Sequence, residues 1–414
     1  MLYWTDKRSA ELFQDLYNSA LAYSAEKHGS FEAFFAAAGT GHTMKDPETM
    51  LQAAKALREP FSRVEGYRGM YLQDMLTAME TFVRLLKGED IPYREAVRDI
   101  LGIEMREISP ERGRRVRQEI DDLLSEEGYD QAETSEKVKQ WYADNLIAPE
   151  ALAQTAREYL AVLQKLTRQI VDVPKEEGWG KLELVQGVSW GAFSQYEGRY
   201  TTNMLMNRDS IWKRPAFIDT VSHELYPGHH TWYCMRESGF YEDKVPLEAA
   251  TLGICSAENL IFEGLPESGA HFTGIDDPER EIEGIGRDLR KKIFAARKIL
   301  EYVRILEINS CYHYHVDHWP KADLIEAATC DGWIEPEVAE RVYTYYGHPL
   351  NGLYYPSYYY GRWIVTYAYD RFDKERREEF FRMAYGEVHS TGSFIRRVEE
   401  MTGAPFDPVT MAQK

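Results

Sequence analysis

Residues 223–230 read H-E-L-Y-P-G-H-H. An H-E-x-x-H stretch on a helix puts two imidazoles on one face. They bind one Zn²⁺ at about 2.0–2.1 Å, with the glutamate placed as a base. Here His223 and His229 are six apart, which on a regular helix means about 9 Å of rise and a rotation near 240°. His223 and His230 share a face but stand about 10.5 Å apart along the axis. A regular helix therefore yields no site. Pro227 changes this, because it lacks an N–H and its ring crowds the carbonyl four residues back, that of His223. Gly228 beside it permits an unusual backbone. If the pair is extruded as a bulge, the stretch reads H-E-L-Y-H and His229 takes the second ligand position.

Working outward, Arg214 to Tyr226 is expected to be a helix. Pro215 suits its first turn, and Phe217, Val221 and Leu225 recur every four residues as a packing stripe. His223 lies well round the cylinder from that stripe, free to face a cleft. Further helices are expected over 9–28, 47–87, 109–126, 149–172, 279–308 and 389–401, where apolar residues recur three and four apart between charges. The stretch from Gly178 to Asn207 is instead rich in glycine, aromatic and β-forming residues and reads as a few short strands. It separates a helical part, 1–177, from a part, 178–414, that carries nine of the 11 histidines. The two are expected to form one continuous cleft-bearing unit.

H-E-L-Y-P-G-H-H resembles the H-E-x-x-P-G-H-H signature of a large bacterial family. That family is distantly related to the zinc peptidases that include carboxypeptidase Taq, the oligopeptidases and angiotensin-converting enzyme. The likeness covers roughly 185 to 370. It implies a mainly α, zincin-like metallopeptidase fold with a small sheet at the cleft, one Zn²⁺ per chain, and a third ligand from an F-x-E-G-type motif. Here I-F-E-G-L-P-E-S occupies 261–268, which points to Glu263, with Glu258 as the rival. R-Y-T-T-N-M-L-M-N at 199–207, with Asn203 at its centre, resembles the strand before the metal helix, and such a strand implies an edge that pairs with an extended peptide. H-Y-H-V-D-H-W at 313–319 puts His315 on a family position, although Cys311 stands where the family has an aspartate. S-Y-Y-Y-G at 357–361 puts Tyr358 on the family tyrosine.

The expected mechanism is metal-assisted hydrolysis of peptides. Glu224 is the base, and Tyr358 and His315 are donors to the developing oxyanion. His230 is a rival ligand or supporting group, Asp219 a candidate acceptor for the His223 ring, and Arg362 a candidate for a substrate carboxylate. The alternatives are a metal-dependent hydrolase of another amide or ester, and a silent peptide-binding scaffold. An intact Glu224 argues against the last.

Composition narrows the partners. The formal net charge is −19, with 49 Lys+Arg against 68 Asp+Glu. The short basic run E-R-G-R-R-V-R at 111–117 reads as a solvated helix face, so no nucleic-acid partner is expected. No apolar run approaches the ~20 residues of a membrane helix. The opening M-L-Y-W-T-D-K-R has no signal-peptide pattern, and the 4 cysteines form no C-x-x-C pair. A reduced, cytoplasmic chain is the expectation.

Overall fold

The computed structural model describes residues 1–29, 33–188 and 190–414. It is mainly helical, 63% helix, with small sheets. Helix starts follow ordinary capping chemistry. Asp46 accepts from the Thr49 N–H at 2.9 Å, Ser390 closes a capping box with Ser393, and proline opens the helices beginning at 47, 110, 336, 349 and 356.

Two expected helices come out differently. The 47–87 segment is two helices, Pro47–Ser62 and Gly66–Leu86. The chain turns back so closely between them that a Cβ on Gly69 would lie 1.9 Å from the Val64 carbonyl oxygen. The 279–308 segment begins only at Arg287 but runs to His315, 29 residues, and so absorbs the His313–His315 motif into a regular helix.

Three strands form one sheet: Gly178–Val185 on the outside, Thr201–Asn207 in the middle, and Ala192–Gly198 beside the cleft. The outer and middle strands are parallel, and the middle and cleft strands antiparallel. Thr202, Met204 and Met206 of the middle strand alternate into the interior. The turn between the cleft and middle strands holds Arg199 at φ 52° and Tyr200 at φ 60°, a backbone that costs energy for side chains of this size. Glu237 offsets that cost by accepting both of their N–H groups, at 3.2 and 3.0 Å.

The middle strand is thus covered on both edges. Thr201–Asn207 is therefore not the free edge for an extended peptide that the sequence led us to expect. The strand that borders the cleft is Ala192–Gly198.

The expected stripe packs as a stripe. Phe217, Val221 and Leu225 are fully buried with Leu160, Leu163, Met204 and Met206, each large side chain contributing about 1.5–3 kcal/mol. This seats the Arg214–Glu224 helix between the sheet and the Leu152–Thr167 helix. The larger core draws on both ends of the chain, with Phe13, Leu57, Met79 and Trp141 joined to Leu260, Tyr360 and Phe380.

Candidate metal centre

Pro227 and Gly228 do not extrude a bulge from a continuing helix. One helix ends at Glu224 and another runs from His229 to Tyr241, with Gly228 as its N-cap. The Gly228 N–H donates to the Ser222 carbonyl at 3.0 Å. A Cβ at Gly228 would sit 1.8 Å from the His223 carbonyl oxygen and 2.4 Å from that of Ser222. Only glycine lets the chain fold this tightly on the spent helix end. The fold-back sets the His223 and His229 rings edge to face, 4.7 Å between centroids.

Glu263 comes from the helix Asn259–Glu267. Its position depends on the next residue. Gly264 packs on Gly361 of the Pro356–Asp370 helix, where a Cβ would lie 2.4 Å from the Gly361 carbonyl oxygen. The glycines of F-E-G and S-Y-Y-Y-G are therefore the two sides of one helix contact. It brings Glu263 and Tyr358 to the same cavity.

The three side chains converge. Glu263 Oε2 is 3.3 Å from His223 Nε2 and 3.7 Å from His229 Nε2, and one ligand atom from each lies within 4.8 Å of the others. Ligands at 2.0–2.1 Å from a tetrahedral ion stand about 3.3 Å apart. Glu263 is 3% exposed, and its Oε2 is buried without a hydrogen-bond partner among the described residues. A buried carboxylate oxygen with no well-formed hydrogen bond, facing two imidazole nitrogens, fits a cation.

Neighbouring groups fix these atoms. The Tyr354 hydroxyl donates to Glu263 Oε1. Glu267 Oε1 lies 3.5 Å from His223 Nδ1 and 3.3 Å from Arg304 Nη2. The His229 ring packs against Phe262, tilted by 31°, with 4.3 Å between centroids. The Ser194 hydroxyl of the cleft strand lies within hydrogen-bond reach of Glu224 Oε2, at 2.7 Å, and of the Glu224 carbonyl oxygen, at 2.5 Å.

Charge and burial compete here. Burial disfavours a charged His223, but the Glu263 carboxylate, with Glu224 and Glu267, outweighs it and pushes the imidazole up to about 9. Burial, with the His223 charge, holds His229 well below its ordinary value. Burial also raises the Glu224 carboxyl, against the pull of His223 and the Ser194 hydroxyl.

Two cavities meet at His223 and Glu224. The inner one, about 90 Å³, is walled by His229, Glu263, Tyr233 and Phe34. The larger, about 400 Å³, opens beside it and shares Trp190, Tyr345 and Tyr358. Tyr354, Glu267 and Phe34 were not singled out from the sequence. Tyr354 is one of eight tyrosines between 343 and 360, and nothing local distinguishes it.

Several expected residues lie elsewhere. His315 stacks on Tyr93 at 4.1 Å and bonds the Tyr346 carbonyl at 2.7 Å. It lines a separate pocket and not the two at His223. His230 is fully buried, held by Glu177 at 3.0 Å and Thr202 at 2.8 Å, so it neither ligates nor lines the cleft. Asp219 does line the larger cavity, but it is taken by Arg297 at 2.5 Å, and Glu267 stands by the His223 ring in its stead. Glu258 is sequestered by Arg236 at 2.5 Å and Tyr71 at 2.7 Å. Asn203 ties the sheet together, accepting from the Lys181 N–H and donating to Glu197, both at 2.9 Å. Arg362 is buried against Trp363, 5.3 Å from its ring centre, and lines neither cavity.

No protein-family model matches the sequence, and no curated protein matches it. Two solved structures are similar in fold. One, described as a "putative lipoprotein" from Colwellia psychrerythraea, is 14% identical with a TM-score of 0.58, over 86% of this chain and 66% of its own. The other, a "putative lipoprotein of unknown function" from Shewanella oneidensis, is 12% identical over 89% of this chain and 72% of its own, and its TM-score of 0.47 carries no argument. This chain therefore spans slightly less than two-thirds of the first structure's length.

The likeness corrects two expectations. The solved structure that shares the fold is described as a putative lipoprotein, with no activity stated. Zinc-dependent peptide hydrolysis, with its amide, ester and silent peptide-binding alternatives, is set aside. So is a cytoplasmic location, which a likeness to lipoproteins does not support. Among the described residues no helix is long and apolar enough to cross a membrane.

Proposed function

We propose that the chain is a metal-dependent enzyme built around one divalent ion, Zn²⁺ in the first instance, held by His223, His229 and Glu263. The observation that carries this reading is the buried Glu263 Oε2, without a well-formed hydrogen bond, facing both Nε2 atoms at 3.3 and 3.7 Å. The arrangement of parts is zincin-like: a His-Glu helix end, a second histidine just beyond the break, a glutamate on a following helix, and a strand beside the cleft. The likeness to H-E-x-x-P-G-H-H supports the metal part of this reading.

When bound, the ion supplies Lewis acidity toward an oxygen of the molecule in the cleft. Glu224 is the proton carrier. Ser194 holds one of its oxygens at 2.7 Å, and the residue lines both cavities. Tyr358 is the cleft's hydroxyl donor, its ring held under the Arg304 guanidinium at 5.1 Å. Glu267 lies 3.5 Å from the far nitrogen of His223, where a carboxylate can orient the ring, as carboxylates commonly do behind metal-binding histidines.

Metal analysis after chelator treatment and reloading tests the reading. Wild type and Glu224→Gln are expected to hold about one zinc per chain, and His223→Ala and Glu263→Ala to lose it. Full retention in the last two overturns the ligand set.

A further inference from the structure

The cavity of about 400 Å³ beside His223 is within the range of small-molecule sites. Its walls are mostly aromatic and aliphatic, including Trp190, Trp212, Val338, Val342 and Tyr345. The charged groups on those walls are unevenly satisfied. Asp219 is paired with Arg297 at 2.5 Å. Glu267 and Glu307 share Arg304 at 3.3 and 3.0 Å, and Glu307 also accepts from Tyr355 at 2.8 Å. Glu224 accepts from Ser194. Each wall carboxylate thus has a donor, and Arg304 is committed to two of them.

Arg341 is the exception. It lines the cavity, is half-buried, and forms no ion pair with any described residue. A second cation stands near it. Lys213, adjacent to the wall residue Trp212, has its ammonium over the Tyr142 ring at 4.2 Å. Burial holds its pKa down, and the Arg341 charge pushes the same way against Glu335. Lys213 likewise forms no ion pair with a described residue. The cavity thus presents one uncommitted cation, Arg341, among apolar walls whose carboxylates are already used.

We infer that this cavity binds a small amphipathic carboxylic acid, its carboxylate on the free guanidinium of Arg341 and its apolar body between the Trp190–Trp212 and Val338–Val342 walls. A guanidinium matches a carboxylate with two parallel hydrogen bonds. A polyanion such as a nucleotide is disfavoured, because it would meet Glu224, Glu267 and Glu307 on the same walls. The assignment names the ligand class for the proposed metal enzyme and rests on that reading only for which end of the ligand faces His223. It replaces Arg362, which is buried out of reach, as the carboxylate-binding arginine.

The test is calorimetric titration of the full chain, chelator-treated and zinc-loaded, with 3-phenylpropanoate and with its neutral amide. The acid is expected to bind at least tenfold more tightly than the amide in both forms. Arg341→Met should remove that preference while leaving the amide's affinity and the thermal midpoint unchanged, and Arg341→Lys should keep part of it. Equal binding of acid and amide, no binding of the acid at millimolar concentration, or an undiminished preference in Arg341→Met overturns the inference. So does a preference that vanishes with the metal, since the ion and not Arg341 would then hold the carboxylate. If the chain binds no zinc yet keeps an Arg341-dependent preference, the metal reading fails and this one stands.

Discussion

The chain has two dense histidine clusters, and they fare oppositely. His223, His229 and His230 straddle a broken helix. His313, His315 and His318 sit at the end of an unbroken one and just beyond it. In the second cluster the two rings on the helix find ordinary partners. His313 bonds Asp317 at 2.7 Å and stacks on Trp319 at 4.0 Å, and His315 is held by Tyr93 and the Tyr346 carbonyl. Residues two apart on a helix point about 200° away from each other, so these rings cannot converge. In the first cluster the break at Pro227–Gly228 turns two rings onto one buried carboxylate. Histidine density alone is therefore a poor guide to which rings converge. A backbone break that turns two of them onto one carboxylate is a better one.

The comparison breaks most severely at Gly228. Gly228→Ala would put a methyl carbon on backbone oxygens that cannot move aside. It should cost at least about 3 kcal/mol in urea unfolding and abolish metal binding. A variant that stays within 1 kcal/mol of wild type, roughly the noise of surface substitutions, would show that the fold-back is not needed.

Glu177→Gln tests the third histidine of the same cluster. Burial alone would raise the Glu177 carboxyl, but hydrogen bonds from His230, Tyr226 and Arg168 outweigh it and lower it to about 2. A depressed folded-state pKa stabilises above the unfolded value and is lost as pH falls. Wild type should therefore lose stability between about pH 4.5 and 2. Glu177→Gln should be less stable by about 2 kcal/mol at pH 7, and its stability should fall less steeply across that window. Parallel pH profiles for the two proteins would contradict the assignment.

Tyr354→Phe removes the hydroxyl that holds Glu263. Zinc affinity should fall about 10- to 100-fold with little change in fold, measured by competition against a chelating dye. Unchanged affinity would mean that Glu263 is positioned by its helix alone. His315→Ala should have the smallest effect, about 1 kcal/mol of stability from one hydrogen bond and none on zinc. A loss of zinc in this variant would invert the comparison between the two clusters.

Much of the site was legible in the sequence, and for physical reasons. The spacing of His223 and His229 made a regular helix useless for a shared ion, and Pro227–Gly228 announced that it was not regular. The form of the irregularity, a full break rather than a bulge, depended on Ser222 accepting from Gly228, which no local pattern encodes. The mainly helical fold and the Phe217–Val221–Leu225 stripe followed from periodicity. The order of the strands did not, because parallel pairing of Gly178–Val185 with Thr201–Asn207 is a long-range choice. The partners of Asp219 and Glu258 were also invisible, since Arg297 and Arg236 reach them only through tertiary packing.

The most direct test is anomalous diffraction at the zinc edge from crystals of the zinc-loaded chain. The account predicts one strong peak at about 2.0–2.1 Å from His223 Nε2, His229 Nε2 and Glu263 Oε2, and none near His313, His315 or His318. A peak at the second cluster, or none between His223, His229 and Glu263, would contradict it.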